Sequence, residues 1–264
     1  MDAAARLLEM LIDAICTNAT TLQLDGSYYS EIGQLVNQDD FTAPSAEELL
    51  ANAFAPERAR LLDFGCGAMA HRGFIESIGY IWHGVDYLEG VSSLVRETVA
   101  QKSGEISFYD GITLPYADGS FDMIWAMLVL QHVQHIDKTF SELSRVLTPG
   151  GKLIGQVSYL EQVQDYGTFN YTPIGLKIAA ARNGLALTKI FPKHDAFSFL
   201  ARRLSITLGA SDDTPFNTML DPDGYFHRKI IETGTRMGLT AAEINLLRLQ
   251  FCTHFVFEIE KPAT

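Results

Sequence analysis

The chain has 264 residues, 47% hydrophobic and 11% aromatic, with a formal net charge of −12. That length supports a sizeable core with added segments, and no apolar stretch is long enough to span a bilayer. The acidic balance and the lack of a basic stripe argue against a nucleic-acid surface, because such binding draws on Lys and Arg facing phosphates. Arg202-Arg203 and His227-Arg228-Lys229 are each enough for one phosphate, not a duplex. Asp2, Glu9 and Asp13 give the N-terminus the wrong charge for a leader. Cys16, Cys66 and Cys252 have neither metal-ligand spacing nor an even count for a disulfide framework, so a reducing, cytoplasmic compartment is expected.

Leu7, Leu8, Leu11, Ile12 and Ile15 recur at helical spacing and predict an amphipathic first helix. Asp25-Gly26-Ser27 marks a turn before Tyr28-Tyr29, and Ser45 with Glu48 forms a capping box opening a second helix. From residue 57 short apolar runs alternate with amphipathic stretches. Strands are expected over 60–64, 80–85, 106–109, 121–126 and 152–158, and helices over 71–78, 88–101 and 138–147. Such alternation implies a mainly parallel sheet covered by helices on both faces. Beyond Tyr159, a helix over 174–182 stops at Asn183-Gly184 and a strand follows over 185–191. A helix over 196–208, a loop over 209–224, a helix over 225–237 and a last strand over 249–260 complete the chain. The stretch between the last two strands has the length of a lid or substrate wall. Its Asp212, Asp213, Asp221 and Asp223 match no ligand-loop spacing, so no metal site is expected.

The densest functional signal is Leu61-Leu62-Asp63-Phe64-Gly65-Cys66-Gly67-Ala68-Met69-Ala70, with Asp86 closing the next apolar run, Tyr80-Ile81-Trp82-His83-Gly84-Val85. A buried strand turning through Gly-x-Gly into a helix lets a ligand approach the main chain and offers unpaired N–H groups to an anionic end. A carboxylate at Asp86 can accept both hydroxyls of a ribose. Two cofactors fit. Gly65-x-Gly67-x-x-Ala70 satisfies the loose dinucleotide fingerprint, which would make a nicotinamide enzyme. The same run resembles the acid-x-Gly-x-Gly signature of class I S-adenosylmethionine-dependent methyltransferases. Asp63 separates the two, because an acid there repels pyrophosphate and suits a ligand bearing an ammonium and a sulfonium.

Two further stretches carry the resemblance. Asp110-Gly111-Ile112-Thr113-Leu114-Pro115-Tyr116-Ala117-Asp118-Gly119-Ser120-Phe121-Asp122 resembles the stretch joining the family's third and fourth strands. Leu147-Thr148-Pro149-Gly150-Gly151-Lys152-Leu153 resembles its Leu-x-Pro-Gly-Gly turn into the fifth. The likeness covers about 58–158 and, more weakly, 171–191. It implies an α/β fold with a seven-stranded, mainly parallel sheet, helices on both faces and an antiparallel last strand. It also implies S-adenosylmethionine as cofactor, with S-adenosylhomocysteine as product. The expected organisation is an N-terminal helical lid over 1–56, a Rossmann-like core over 57–195 with 249–264, and an inserted cap over 196–248.

The resemblance assigns roles to individual residues. Asp63, with Phe64 beside it, would anchor the cofactor's amino-acid end, and Gly65 and Gly67 would allow close main-chain approach. Asp86 would take the ribose hydroxyls, with Tyr87 beside the adenine. Asp110, Gly111 and Ile112 would flank the adenine's other edge, and Ala126 or Met127 would offer a carbonyl to the ammonium. Tyr28 and Tyr29 resemble aromatic residues on a lid closing over the cofactor. Met69 departs from the pattern, standing where the family often has a third Gly.

A sulfonium is an activated methyl donor, so alignment with the acceptor carries most of the rate. A hydroxyl acceptor also needs its proton removed. His132 and His135 follow the fourth strand, near where the methyl would sit, and His227 lies in the inserted segment. These are the candidate bases. The added segments enclose a site and build no basic platform, so the expected acceptor is a small molecule methylated on oxygen, such as a sugar or specialised metabolite. No nucleic-acid or membrane partner is expected, and the protein would act as a monomer or homodimer. A non-catalytic module binding S-adenosylmethionine or S-adenosylhomocysteine, and a methyltransferase acting on protein or RNA, stay open beside this reading.

Overall fold

The computed structural model describes residues 3–18, 31–53, 57–89, 93–101, 104–161, 167–200 and 224–263. The elements run α1 (Ala3–Asn18), α2 (Ala46–Asn52), β1 (Arg60–Phe64), α3 (Arg72–Ser77), β2 (Ile81–Asp86), α4 (Ser93–Ala100), β3 (Ile106–Phe108) and β4 (Phe121–Met127). A 3-10 turn (Leu130–His132) then leads to α5 (Ile136–Val146), β5 (Leu147–Ser158), α6 (Pro173–Arg182), β6 (Ala186–Pro192), α7 (Tyr225–Arg236), α8 (Ala241–Gln250) and β7 (His254–Glu260). Among the described residues the sheet has seven strands in the order β3-β2-β1-β4-β5-β7-β6. β1 pairs in parallel with β2 and β4, β2 with β3, and β4 with β5, while the last strands are antiparallel, as expected. The chain order reverses between β1 and β4, which creates the crevice where open α/β sheets hold ligands.

The chain packs as two compact units. One comprises Pro44–Ser158, Gln162–Thr188 and Val256–Thr264, and is called here the sheet unit. The other, the helical unit, comprises Met1–Ala43, Tyr159–Glu161 and Lys189–Phe255.

In the sheet unit, strands buried on both faces read as nearly unbroken apolar runs. Leu61, Leu62 and Phe64 of β1 and Phe121, Ile124 and Trp125 of β4 are buried. The Ser45 hydroxyl accepts the Glu48 N–H at 3.1 Å and the Glu48 carboxylate accepts the Ser45 N–H at 2.7 Å, which starts α2 as the sequence predicts. β5 begins at Leu147, not at 152. Leu147 pairs with Phe121, and an irregularity between Phe121 and Met123 admits Pro149-Gly150-Gly151 into the strand. Arg145 of α5 donates to the carbonyls of Tyr116 and Leu114 at 2.7 and 3.1 Å and to Asp118 at 2.8 Å. That guanidinium holds the loop leading from Asp110 into β4.

In the helical unit α1, α7 and α8 pack around Ile12, Cys16, Phe226, Ile230, Ile244 and Leu247. The buried face of α1 is Ile12-Ile15-Cys16, at i, i+3, i+4 spacing. Leu11, expected on that face, is 42% exposed. The last strand also differs from expectation, since 249–250 close α8 and β7 begins only at His254. A Thr240–Glu243 capping box starts this helix, and Leu246, Leu247 and Leu249 are buried on it. Of the helix expected over 196–208, residues 196–200 are helical and the rest lie outside the described residues, as do Tyr28 and Tyr29. Among the described residues no helix is long and apolar enough to cross a membrane.

Candidate cofactor site

The site lies within the sheet unit, where β1, β2 and β3 end beside the loop that follows β4. Gly65 (φ +72°) and Gly67 (φ +50°) turn the chain through the left-handed region that glycine favours. The N–H groups of Gly65 and Cys66 donate to Val85 O at 2.9 and 3.2 Å, drawing the turn onto the end of β2. A Cβ on Gly65 would overlap the Val129 side chain, so glycine permits the close approach of the two loops. Met69 sits in the same turn at φ +63°, a conformation that explains why a glycine is commonly placed there.

Two buried carboxylates follow. Asp86 accepts the Gly67 N–H at 2.7 Å through Oδ2 and the Tyr87 N–H at 2.7 Å through Oδ1. Burial raises its pKa, and the two N–H donors work against that rise. Each oxygen keeps lone-pair capacity for a ligand donor. Asp63, 2% exposed, takes the Trp82 indole N–H at 3.0 Å through Oδ2. Burial pushes its pKa up to about 6, against the pull of the indole, and the Asp86 charge adds to the rise.

The adenine side expected from the sequence is also built from short loops. Asp110 is exposed, and its Oδ1 accepts the N–H groups of Ile112 and Thr113 at 2.9 and 2.7 Å, which holds its carboxyl below the usual range. Gly111 (φ +82°) brings its backbone against Tyr87, whose ring a Cβ would meet at 3.2 Å. Tyr109 meets Tyr87 edge-on at 5.9 Å between centroids and lies 5.9 Å from Phe64. Burial raises the Tyr109 phenol, so it stays protonated.

These groups enclose a cavity of about 440 Å³ that brings together Gly65, Asp86, Tyr87, Asp110, Gly111, Ile112, His132 and His135. Its size is ordinary for a small-molecule site. The other lining residues, Glu89, Arg96, Tyr109, Val129, Val133 and Gln134, were not singled out from the sequence. Tyr109 had a signal, standing immediately before Asp110 at the end of an apolar run. Arg96 donates to Glu89 O at 2.9 Å, and the acids Asp86, Glu89 and Asp110 outnumber it in the lining. That balance favours a cationic ligand over a pyrophosphate.

The remaining expected residues are placed otherwise. Gly67 reaches the site through its N–H to Asp86, and Phe64 through its ring on Tyr109. Asp63 and Ala126 are buried and Met127 is half-buried at the end of β4, and none of the three lines the cavity. His132 is half-buried and closes the 3-10 turn, its N–H donating to Val129 O at 2.9 Å. His135 is exposed at the start of α5. His227 belongs to the helical unit, where it is fully buried in α7 with Nε2 3.0 Å from Arg248 O.

Residues 62–155 match the family described as a methyltransferase domain. Methyltransferase GfsG of Streptomyces halstedii is 34% identical over 99 residues, covering 36% of this chain and 36% of that protein. The ubiquinone/menaquinone biosynthesis C-methyltransferase UbiE of Bartonella bacilliformis is 32% identical over 120 residues, covering 39% of this chain and 46% of that protein. The chain thus spans less than half the length of either relative. A Galdieria sulphuraria protein assigned as a sarcosine dimethylglycine methyltransferase shares the fold at 17% identity and TM-score 0.52, over 90% of this chain and 98% of its own. The 4+2 cyclase SpnF shares it at 19% identity and TM-score 0.52, over 83% and 80%. Residues 62–155, which run from β1 into β5, are thus similar to a methyltransferase domain, and the fold is shared with solved structures over most of the chain.

Proposed function

We propose that this chain binds S-adenosylmethionine in the cavity of about 440 Å³ and methylates a hydroxyl of a small-molecule acceptor. The observation that carries the reading is the lining itself. A carboxylate with spare lone pairs, an aromatic pair, close-approach backbone and a half-buried imidazole meet in one acidic pocket. When bound, the cofactor supplies a methyl group on a sulfonium, already activated for displacement.

The chain's own residues bind, orient and move a proton. Asp86 accepts the ribose hydroxyls, and its bond to the Gly67 N–H ties that grip to the glycine turn. Tyr87, Tyr109 and the Gly111 and Ile112 backbone frame the adenine, with the second oxygen of Asp110 accepting its amino group. Asp63 acts on the amino-acid end through charge, from inside the sheet. The Ala126 or Met127 carbonyl accepts from the ammonium. His132 takes the acceptor's hydroxyl proton, with His135 the weaker candidate. The rest of the rate comes from holding donor and acceptor in line.

A small acceptor fits the acidic cavity and the net charge of −12, and UbiE is by name an enzyme of quinone biosynthesis. The test uses methyl-labelled S-adenosylmethionine with a panel of hydroxylated small molecules, total protein and RNA. Label in the small-molecule fraction is expected, with His132→Ala lowering turnover about a hundredfold or more while cofactor affinity holds. Label confined to protein or RNA would replace the acceptor class. Tight cofactor binding with no transfer to any acceptor would make the chain a binding module.

A further inference from the structure

We propose that Thr168 is a positioning residue for His132, because residues 168–171 strap the loop that carries this imidazole into the cavity. The loop begins at Leu128, whose φ of +49° places a γ-branched side chain in the left-handed region. Such a residue persists only where its surroundings hold it, and it marks segments whose conformation is set for use. The Leu128 N–H donates to Gln156 O at 2.9 Å, and the buried Gln131 amide donates to Leu128 O at 2.9 Å. Within the loop itself the backbone bonds are few, His132 N–H to Val129 O at 2.9 Å and Val133 N–H to Leu130 O at 3.4 Å.

The strap supplies the rest. The Thr168 and Phe169 N–H groups donate to Gln131 O at 2.7 and 3.2 Å. The Thr168 hydroxyl lies 3.0 Å from Gln131 O and 2.9 Å from Val133 O, so it spans the two carbonyls flanking His132. One hydroxyl hydrogen serves both acceptors only by sharing or alternating. The Tyr171 hydroxyl donates to Leu130 O at 3.2 Å. The strap is fixed at its far end, where the Tyr171 N–H donates to Ser158 O at 2.8 Å and Thr172 caps α6 by accepting the Gly175 N–H at 2.9 Å. The carbonyls of residues 130, 131 and 133 are therefore all held by a segment anchored to β5 and α6. Thr168 does not line the cavity and acts through His132.

The kinetic part of the proposal rests on the methyltransferase reading, and the spectroscopic part does not. Thr168→Val keeps the side-chain volume and both backbone bonds but removes the hydroxyl, and Thr168→Ser restores it. In the full chain we expect Thr168→Val to shift the His132 imidazole signals in ¹H–¹⁵N spectra and leave S-adenosylhomocysteine affinity unchanged. Turnover should fall roughly ten- to a hundredfold, the usual cost of a small misplacement, and Thr168→Ser should recover both signals and turnover. Should Thr168→Val fold poorly, Tyr171→Phe relaxes the same loop at Leu130 O and should move the same signals. Unmoved imidazole signals in these variants would overturn the strap, as would a loss of cofactor affinity parallel to turnover or no rescue by serine. A parent protein that binds no S-adenosylhomocysteine would overturn the cofactor reading alone, with the imidazole signals still deciding the strap.

Discussion

Asp63 lowers the stability of the fold at neutral pH, and Asp63→Asn measures by how much. The carboxyl is buried among the apolar residues of β1, and burial moves its pKa from 3.8 to about 6, with the Trp82 N–H opposing and Asp86 adding. A carboxyl whose pKa is raised on folding binds its proton more tightly in the native state. Its favourable contribution is complete below the unfolded pKa and is lost as the pH rises through the folded one. The window is therefore about pH 4 to 6. The difference between 3.8 and about 6 is worth about 3 kcal/mol at pH 7. Asn is neutral and nearly the same shape, and its carbonyl oxygen keeps the Trp82 bond. We expect the variant to match the parent near pH 4 and to exceed it by about 2–3 kcal/mol at pH 7. Urea unfolding at a series of pH values measures this, provided the m-value is unchanged. Asp195, another buried acid, titrates in both proteins and cancels in the difference, whereas Asp86 loses a like charge in the variant, which acts in the same direction as the expected gain. On the proposed reading cofactor affinity should fall at the same time, because the negative charge buried behind the cavity is gone. A stability difference that stays constant from pH 4 to 7 would refute the reasoning.

Three substitutions probe the backbone around the site and the helical unit. Met69→Gly relieves a left-handed residue at φ +63° and should stabilise by about 0.5–1 kcal/mol after the glycine's entropy is subtracted; a lower melting temperature would show that the thioether's packing outweighs the strain. Gly65→Ala meets Val129 at φ +72° and should cost about 2–4 kcal/mol in denaturant unfolding, together with cofactor affinity. Gly224→Ala would overlap the Asp195 carboxylate, which accepts the Phe226 and His227 N–H groups and so caps α7 in place of the missing Gly224 side chain. It should cost about 1–3 kcal/mol, and near-parent stability would mean the cap is dispensable.

The parallel core was legible because its strands are buried on both faces and read as apolar runs. β1 matches its expected 60–64 residue for residue, and most other boundaries move by one or two positions, as element ends do. The places of Asp86, Asp110 and the glycines at the cavity were legible because they depend on local backbone chemistry that leaves a motif. Val129 and Val133 enter the cavity through packing, which leaves no motif. Leu246, Leu247 and Leu249 blur strand and helix in a short apolar run, and the Thr240–Glu243 box decides for helix. His227 belongs to a charged surface-like cluster in sequence, and only the packing of α7 shows it buried.

The central claim, a nucleoside cofactor held by Asp86, is tested most directly by calorimetric titration of S-adenosylhomocysteine into the parent and into Asp86→Ala. The parent should bind it and give no heat with NAD. The variant should bind about ten- to a hundredfold more weakly, the loss of charge-assisted hydrogen bonds worth about 1.5–3 kcal/mol. Equal affinity in the two proteins, or binding of NAD alone by the parent, would contradict it.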